Sequence, residues 1–279
     1  MPKEVLIIKI GGSLLTYKDK SRTFRRQNTK LLCSQIASFY EANKKDFGLV
    51  VINGNGSFGH QTIKKYNIKK GFKTDFEKEG YIKLLQDTAL VNRFLSDNLI
   101  DAGLPAMSLQ TSAVFCDSGN NIQDFLKPLE LALEKEIVPV LYGEMILNSK
   151  SGGSILGSDQ IPFELLSWAK KSGYKILKVL NLGSYASVWD ENKNIISKIT
   201  PEVFSKVKNK IFYDSNNVDV SGGMGAKIES FLDLAKFGVD SFITSGLGVI
   251  DLEKIFKNPD GVIGTQILSI PNPKQIRNF

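Results

Sequence analysis

The stretch VLIIKIGGS, which runs from Val5 to Ser13, sets the structural pattern that the rest of the chain repeats. Its first six residues are apolar and mostly β-branched, apart from one lysine, which is typical of a buried strand. Gly11 and Gly12 follow directly, and paired glycines end a strand because they allow tight backbone turns. The stretch therefore predicts a buried strand over Val5–Ile10 that ends in a glycine turn.

Apolar strands and amphipathic segments alternate along the 279 residues. Short apolar runs predict further strands at Gly48–Ile52, Ala106–Leu109, Val138–Tyr142, Lys175–Leu182 and Ser241–Ser245. Helical spacing predicts helices at Asn28–Glu41, Tyr81–Ala102, Pro128–Lys135, Asp159–Ser172 and Gly225–Gly238. Strands separated by helices indicate the α/β class, so we expect a three-layer αβα sandwich with a mostly parallel central sheet.

Length and composition are those of a soluble globular protein with one domain or two closely joined lobes. A soft boundary near Lys171–Gly173 would separate residues 1–172 from residues 173–279.

No apolar run is long enough for a membrane helix, and the N-terminus does not resemble a signal peptide. Cys33 and Cys116 lie far apart, which argues against a disulfide framework or a cysteine zinc site. We expect a cytoplasmic protein without a membrane partner.

The chain carries a net charge of +7, with basic residues concentrated between Arg22 and Arg26 and between Lys64 and Lys73. A solvated basic surface is the simple explanation of such clusters. The alternative is that their field attracts a small anionic substrate. We expect no nucleic-acid partner, because the sequence contains no known nucleic-acid motif and no aromatic-basic repeat.

Glycine and serine recur where the predicted strands end. In a parallel sheet these ends share one edge, and ligands bind there. The residues concerned are Gly11-Gly12-Ser13, Gly54–His60, Gly143-Glu144 and Ser245-Gly246. Because phosphate groups need close approach of the backbone, this edge is the predicted binding site.

Two lysines and one aspartate stand out against this pattern. Lys9 interrupts an apolar strand. Either its aliphatic stem extends far enough for its ammonium group to reach water, or the ammonium group is directed at a phosphate. Lys227 follows the glycine-rich stretch DVSGGMGA (219–226) and is predicted in the first turn of a helix, where a cation opposes the helix dipole. It is either a solvated lysine or a partner of a bound anion. Asp159 is either a helix cap or an acid that holds lysines in place.

The stretch GNGSFGH, Gly54–His60, contains the only histidine of the chain and matches the dinucleotide-binding pattern G-x-G-x-x-G. A nicotinamide site also needs a strand that ends in an acid about 20 residues later. Asp75 has that spacing, but the segment before it is not an apolar strand, and the glycines follow the second strand rather than the first. A nicotinamide site is therefore disfavoured, and a surface histidine without a role remains the simple alternative.

Three motifs together resemble the amino acid kinase superfamily. They are KIGGS near the N-terminus, GNGSFGH after the second strand and DVSGGMGAK near the C-terminus. The histidine-bearing motif is similar to that of the isopentenyl phosphate kinases and their relatives, the fosfomycin kinases. The resemblance extends from Val5 to about Thr265.

The resemblance implies a single amino-acid-kinase domain that transfers phosphate from ATP, with Mg2+, to a small phosphate or phosphonate. Isopentenyl phosphate is the expected acceptor, and a homodimer is the expected assembly. Residues 1–172 would form the acceptor-binding lobe and residues 173–279 the nucleotide-binding lobe.

The roles of individual residues also follow from the resemblance. Those implied to bind ATP phosphates are Lys9, Gly11, Gly12, Ser13, Gly222, Gly223 and Lys227. Lys18 would stabilise the transferring phosphoryl group, and Asp159 would organise the lysines. Those implied to bind the acceptor are Gly54, Asn55, Gly56, Gly59, His60 and Gly157. No residue is assigned as a direct metal ligand.

This chain departs from the family pattern at several positions. Asn55 replaces a glycine, Ser184 and Ala186 stand where relatives carry acids, and Glu144 stands where aspartate is common. Two alternatives therefore stay open beside isopentenyl phosphate. One is a phosphonate or another small-acid acceptor, and the other is a nucleotide-binding regulatory member without turnover.

Overall fold

The computed structural model describes residues 3–17, 19–20, 22–208, 211 and 223–269. Two predicted site residues, Lys18 and Gly222, lie outside the described residues. Among the described residues, no helix is both long and apolar enough to cross a membrane.

Eight strands form the central sheet. In chain order they are β1 (Glu4–Ile10), β2 (Gly48–Asn53), β3 (Ala106–Ser108), β6 (Val138–Tyr142), β9 (Lys175–Gly183), β10 (Lys198–Ile199), β11 (Asp240–Ser245) and β12 (Thr265–Ile267). The order across the sheet is β10-β12-β11-β9-β1-β2-β6-β3, and all neighbours are parallel except β11 and β12. The mostly parallel sheet predicted from the sequence is confirmed. It is continuous across Lys171–Gly173, because β9 pairs with β1.

Ten helices connect the strands in the described residues. They are α1 (Gly12–Leu15), α2 (Arg26–Asn43), α3 (Ser57–Tyr66), α4 (Asp75–Asp101), α5 (Thr111–Val114), α6 (Lys127–Glu134), α7 (Ile161–Ser172), α8 (Pro201–Val207), α9 (Gly223–Ala235) and α10 (Leu252–Lys257).

The alternation of side chains along β1 explains why helices cover both faces of the sheet. Val5 and Ile7 belong to a core cluster with residues of α6, α7, α8 and α9. Leu6, Ile8 and Ile10 belong to a second cluster with residues of α1, α2, α4 and α10. Because successive strand side chains point to opposite faces, one buried strand serves two cores. The predicted three-layer sandwich is therefore confirmed.

A second, four-stranded sheet was not predicted. Its strands are β4 (Phe115–Asp117), β5 (Ile122–Asp124), β7 (Glu144–Asn148) and β8 (Gly152–Leu156), in the order β5-β4-β7-β8. Strands of three to five residues that carry acids and glycines show too little apolar alternation to be recognised from sequence. Two of its strands precede β6 in the chain and two follow it, so β6 connects the two halves of this sheet.

Several predicted helix boundaries are wrong. The fourth helix begins at Asp75 rather than Tyr81, because Thr74 and Glu77 form a reciprocal capping box. The seventh begins at Ile161 rather than Asp159, with Pro162 in its first turn, where proline is favoured. The ninth begins at Gly223, which makes Lys227 its fifth residue rather than a member of its first turn.

The turns after β1 and β2 pack backbone against backbone. A Cβ atom on Gly12 would lie 2.1 Å from the amide nitrogen of Gly56. Gly56 itself has a φ of +52°, and a Cβ there would lie 1.9 Å from the hydroxyl of Thr16. Such contacts leave no room for a side chain, so both glycines are required by the fold whether or not a ligand approaches them.

We predict that Gly12→Ala lowers the free energy of unfolding by about 3 kcal/mol, because the new methyl group must push the two turns apart. Gly103→Ala is the matched control, since Gly103 has a φ of +90° but no atom within 4 Å of the point that a Cβ would occupy. It should cost only about 1 kcal/mol of backbone strain. Urea unfolding measures both, and equal losses would contradict the close packing of the turns.

Candidate active site

A cavity of about 480 Å³ opens at the carboxyl ends of β1, β2 and β9. Most of the predicted site residues line it, namely Lys9, Gly11, Gly12, Ser13, Gly54, Asn55, Gly56, Gly59, His60, Gly157, Asp159 and Lys227. Gly223 does not line it, although it begins the helix that carries Lys227. The predicted sheet edge therefore brings residues from distant parts of the chain to one cavity.

Lys9 is buried at the end of the central strand, and its charge meets a partner there. Its side chain is 3% exposed, and its Nζ lies 2.6 Å from Oδ1 of Asp159. Asp159 lies in a turn in which the amide of Gln160 donates to the carbonyl of Gly157. The turn precedes α7 and leaves the carboxylate facing the sheet, so Asp159 is neither the cap nor the first residue of that helix.

Asp159 is held between two cations. Burial alone would raise the pKa of its carboxyl, but the charges of Lys227 and Lys9 outweigh burial and lower it. The charged carboxylate is therefore the favoured form. It contacts Lys9 of β1 directly, and Lys227 of α9 lines the same cavity.

The glycine turn after β2 is shorter than predicted. Ser57–His60 is the first turn of α3 rather than part of a loop, which places Gly59 and His60 at a helix N-terminus. The amide of Ser57 donates to the hydroxyl of Thr16 (3.1 Å), which in turn donates to the carbonyl of Gly12 (3.0 Å). These bonds fix the start of α3 against the turn that follows β1.

Asn55, the departure from the family pattern, has a structural use in this chain. Its Nδ2 donates to the carbonyl of Gly143, so it connects the ends of β2 and β6. Its Oδ1 is buried, with no hydrogen-bond partner among the described residues. The side chain thus lies within the cavity wall and leaves one acceptor unused.

The end of the cavity beyond His60 is apolar. Ile63 of α3, Leu84 of α4 and Ile155 of β8 line it. They belong to a small core cluster with Met145 and Tyr81, which is separate from the two main clusters. The sequence did not indicate Ile155 as a lining residue, because the second sheet that carries it was not predicted.

A buried carboxylate adjoins this apolar end. Glu144 accepts hydrogen bonds from the amide of Ser112 (2.7 Å) and the hydroxyl of Thr88 (3.3 Å). Burial raises the pKa of Glu144, and these hydrogen bonds offset only part of that effect. The residue therefore ties α4 and α5 to β7 and keeps the wall of the apolar end in place.

The opposite end of the cavity is built by the segment that follows β9 and by α9. Gly183, Ser184, Tyr185 and Met224 line it. The hydroxyl of Ser13 donates to that of Ser184 at 3.0 Å, which connects the first glycine turn to this end. Asn181 of β9 also lines the cavity. None of these residues except Ser13 was a predicted site residue.

We predict that Asp159→Asn lowers the free energy of unfolding by about 3 kcal/mol at neutral pH, because the buried ammonium of Lys9 loses its counter-charge. The pKa of Asp159 is depressed in the folded state, so its contribution is present above its unfolded pKa and is lost as pH falls through its folded pKa. The difference between wild type and variant should therefore be full between about pH 6 and 8 and shrink below about pH 4. Urea unfolding over this range measures it, and a difference independent of pH would contradict the charge assignment.

Comparisons with known proteins agree on one family. The model of the amino acid kinase family matches residues 4–245. An isopentenyl phosphate kinase of Methanocaldococcus jannaschii is 28% identical over 228 residues, covering 80% of this chain and 85% of that protein. One of Methanothermobacter thermautotrophicus is 27% identical over 273 residues, covering 94% of this chain and 98% of that protein.

The fold agrees with these sequence relatives. A solved isopentenyl phosphate kinase structure superposes with a TM-score of 0.74 at 23% identity and covers 94% of this chain and 99% of its own. The family match spans most of the chain and contains both glycine turns and the Lys9–Asp159 pair. The resemblance drawn from the three motifs is thereby confirmed, and the chain belongs to the amino acid kinase family.

Proposed function

We propose that this protein is an ATP-dependent kinase that transfers the terminal phosphoryl group to isopentenyl phosphate, giving the diphosphate. One observation carries the proposal. A single cavity combines cations gathered around Asp159 with a glycine turn, a histidine and an apolar end. The relatives described as isopentenyl phosphate kinases support the same acceptor.

The chemistry of phosphoryl transfer fits the cations of this cavity. The acceptor phosphate is already an anion, so the reaction needs alignment and charge neutralisation more than a strong base. Lys9 and Lys227 reach the cavity from two different elements and would neutralise the transferring group. His60 lies in the first turn of α3, where the helix dipole favours an anion, and would hold the acceptor phosphate. The implied role of Lys18 stays a prediction.

The apolar end favours a hydrocarbon tail on the acceptor. Ile63, Leu84 and Ile155 would pack against a five-carbon chain next to the phosphate. Burial of apolar groups contributes about 0.8 kcal/mol per carbon, so such a tail would contribute about 3 kcal/mol relative to methyl phosphate. A small polar phosphonate would gain less from these side chains.

The donor would occupy the end of the cavity near Tyr185 and Met224, with its phosphates toward Lys9 and Lys227. This arrangement keeps the proposed division into an acceptor lobe, residues 1–172, and a nucleotide lobe, residues 173–279. The described residues contain no cluster of three potential metal ligands, and the carboxylate of Asp159 contacts Lys9. The site therefore fits a Mg2+ ion held mainly by nucleotide phosphates, where it would neutralise charge on the donor. The homodimer and the cytoplasmic location stay predictions.

We predict that, in an acceptor panel with ATP, kcat/KM for isopentenyl phosphate exceeds that for methyl phosphate by about a hundredfold, because of the buried tail. The panel also contains fosfomycin and acetylglutamate. Preference for fosfomycin would indicate a phosphonate kinase. Binding of ATP without phosphorylation of any acceptor would indicate a regulatory member and contradict the proposal.

We predict that two variants separate the two ends of the reaction. His60→Ala should raise the KM for the acceptor about tenfold and leave the KM for ATP within about twofold, because one hydrogen bond to an anion is lost. Lys227→Met should lower kcat at least about a hundredfold.

The control for Lys227→Met is Lys236→Met, which removes the same charge just beyond the end of α9, at an exposed residue paired with Asp233. Steady-state kinetics with each substrate varied in turn measures all three variants. If Lys236→Met lost as much kcat as Lys227→Met, the effect would be due to the overall electrostatic field of the protein rather than to the position of Lys227 in the site.

A further inference from the structure

Asn181 is a fully buried amide in the wall of the cavity. It lies on β9, is 0% exposed and is one of the residues that line the cavity. Neither its Nδ2 nor its Oδ1 has a hydrogen-bond partner among the described residues. An amide buried in this way destabilises the folded state, so its presence at the edge of a binding cavity points to a ligand.

The other buried asparagines of the described chain differ from it. Asn92 donates to Oδ1 of Asn53 (2.9 Å) and to the carbonyl of Val140 (3.2 Å). Asn43 donates to the carbonyl of Phe39 (2.9 Å) and to Oε2 of Glu253 (2.8 Å). These side chains tie strands and helices together. Asn181 makes no such connection within the part of the chain that the structure describes.

The neighbours of Asn181 are those expected for a phosphate site. Its Cα pairs in register with Lys9 on β1 and with Ile243 on β11. Register partners on parallel strands project to the same face of a sheet, so the amide lies beside the stem of Lys9. Asp159, the ion-pair partner of Lys9, and Lys227 line the same cavity. The amide is therefore close to the cations proposed to bind the donor phosphates.

We propose that Asn181 is a further nucleotide-binding residue, whose Nδ2 donates a hydrogen bond to an oxygen of the donor polyphosphate. The proposal deepens the kinase function proposed above and rests on it for the identity of the nucleotide. Neither amide atom is exposed to solvent, so contact requires the carboxamide to rotate toward the cavity as the phosphates enter. The amide then exchanges an unpartnered state for a bond to an anion.

A neutral donor suits this position for a physical reason. Asp159 already pairs with Lys9 and interacts electrostatically with Lys227, and another cation beside them would add repulsion in a buried place. An amide offers a donor without charge. It can therefore help to orient the polyphosphate without altering the charge balance around Asp159.

The test is binding of a non-hydrolysable ATP analogue, compared with binding of AMP, by calorimetry with Mg2+. Asn181→Leu removes the hydrogen bond and keeps a similar volume. It should weaken binding of the analogue about tenfold or more and change binding of AMP by less than about twofold, because only the polyphosphate is affected. The variant should also melt at or above the wild-type temperature. Asn181→Ala should show the same difference between the two nucleotides and serves if the leucine variant does not fold.

Ser241→Ala is the matched control. Ser241 lies on β11, is 2% exposed and has a hydroxyl with no partner among the described residues, but it does not line the cavity. It should keep or raise the melting temperature and leave binding of both nucleotides unchanged.

Binding of the analogue to Asn181→Leu within about twofold of wild type would overturn the proposal, as would equal losses for the analogue and AMP. Because this experiment measures nucleotide binding, its result does not depend on whether the protein turns over a substrate. A wild-type protein that binds the analogue but phosphorylates no acceptor would refute the kinase proposal and leave the Asn181 comparison decisive.

Discussion

The buried ion pair between Lys9 and Asp159 is the constraint on which the cavity depends. A lysine ammonium at the end of the central strand cannot stay charged without a partner, because desolvation of an ion costs several kcal/mol. Asp159 supplies that partner at 2.6 Å from the turn before α7. The same carboxylate is stabilised by Lys227 of α9. The Lys9–Asp159 pair thus fixes the turn before α7 against β1, and the charge of the same acid favours the cation of Lys227 in the cavity.

Close backbone packing supplies the second constraint. Gly12 and Gly56 let the turns after β1 and β2 touch, and the hydroxyl of Thr16 joins them by hydrogen bonds. The sequence pattern alone suggests that these glycines make room for phosphate. In the structure, contact between the two turns already requires glycine at both positions. This contact places the first turn of α3, with His60, in the same cavity as the lysines, so that two anions bound there could meet different sets of donors.

The sequence predicted the structure best at positions where the physical environment permits few residue types. The apolar run around Lys9, the paired glycines and the order of the motifs predicted the sheet, its binding edge and the family. Local pattern placed Glu144 at the binding edge but did not indicate Ile155, because Ile155 lies on a short strand of the second sheet and is brought to the cavity only by tertiary packing. Local pattern also left Asp159 open between a helix cap and a partner of lysines, because an acid before a proline-containing helix start fits both roles until its contact with Lys9 is known. Asn181 could not be recognised because a lack of hydrogen-bond partners is visible only in three dimensions.

We propose that one cavity holds the donor and acceptor phosphates, with the lysines at the donor and His60 at the acceptor. A crystal structure of the complex with a non-hydrolysable ATP analogue, Mg2+ and isopentenyl phosphate tests this most directly. We predict that the terminal phosphate of the analogue lies against Lys9 and Lys227. The acceptor phosphate should face it from the first turn of α3, and the tail should contact Leu84. An acceptor bound outside this cavity, or bound with its tail toward Tyr185, would contradict it.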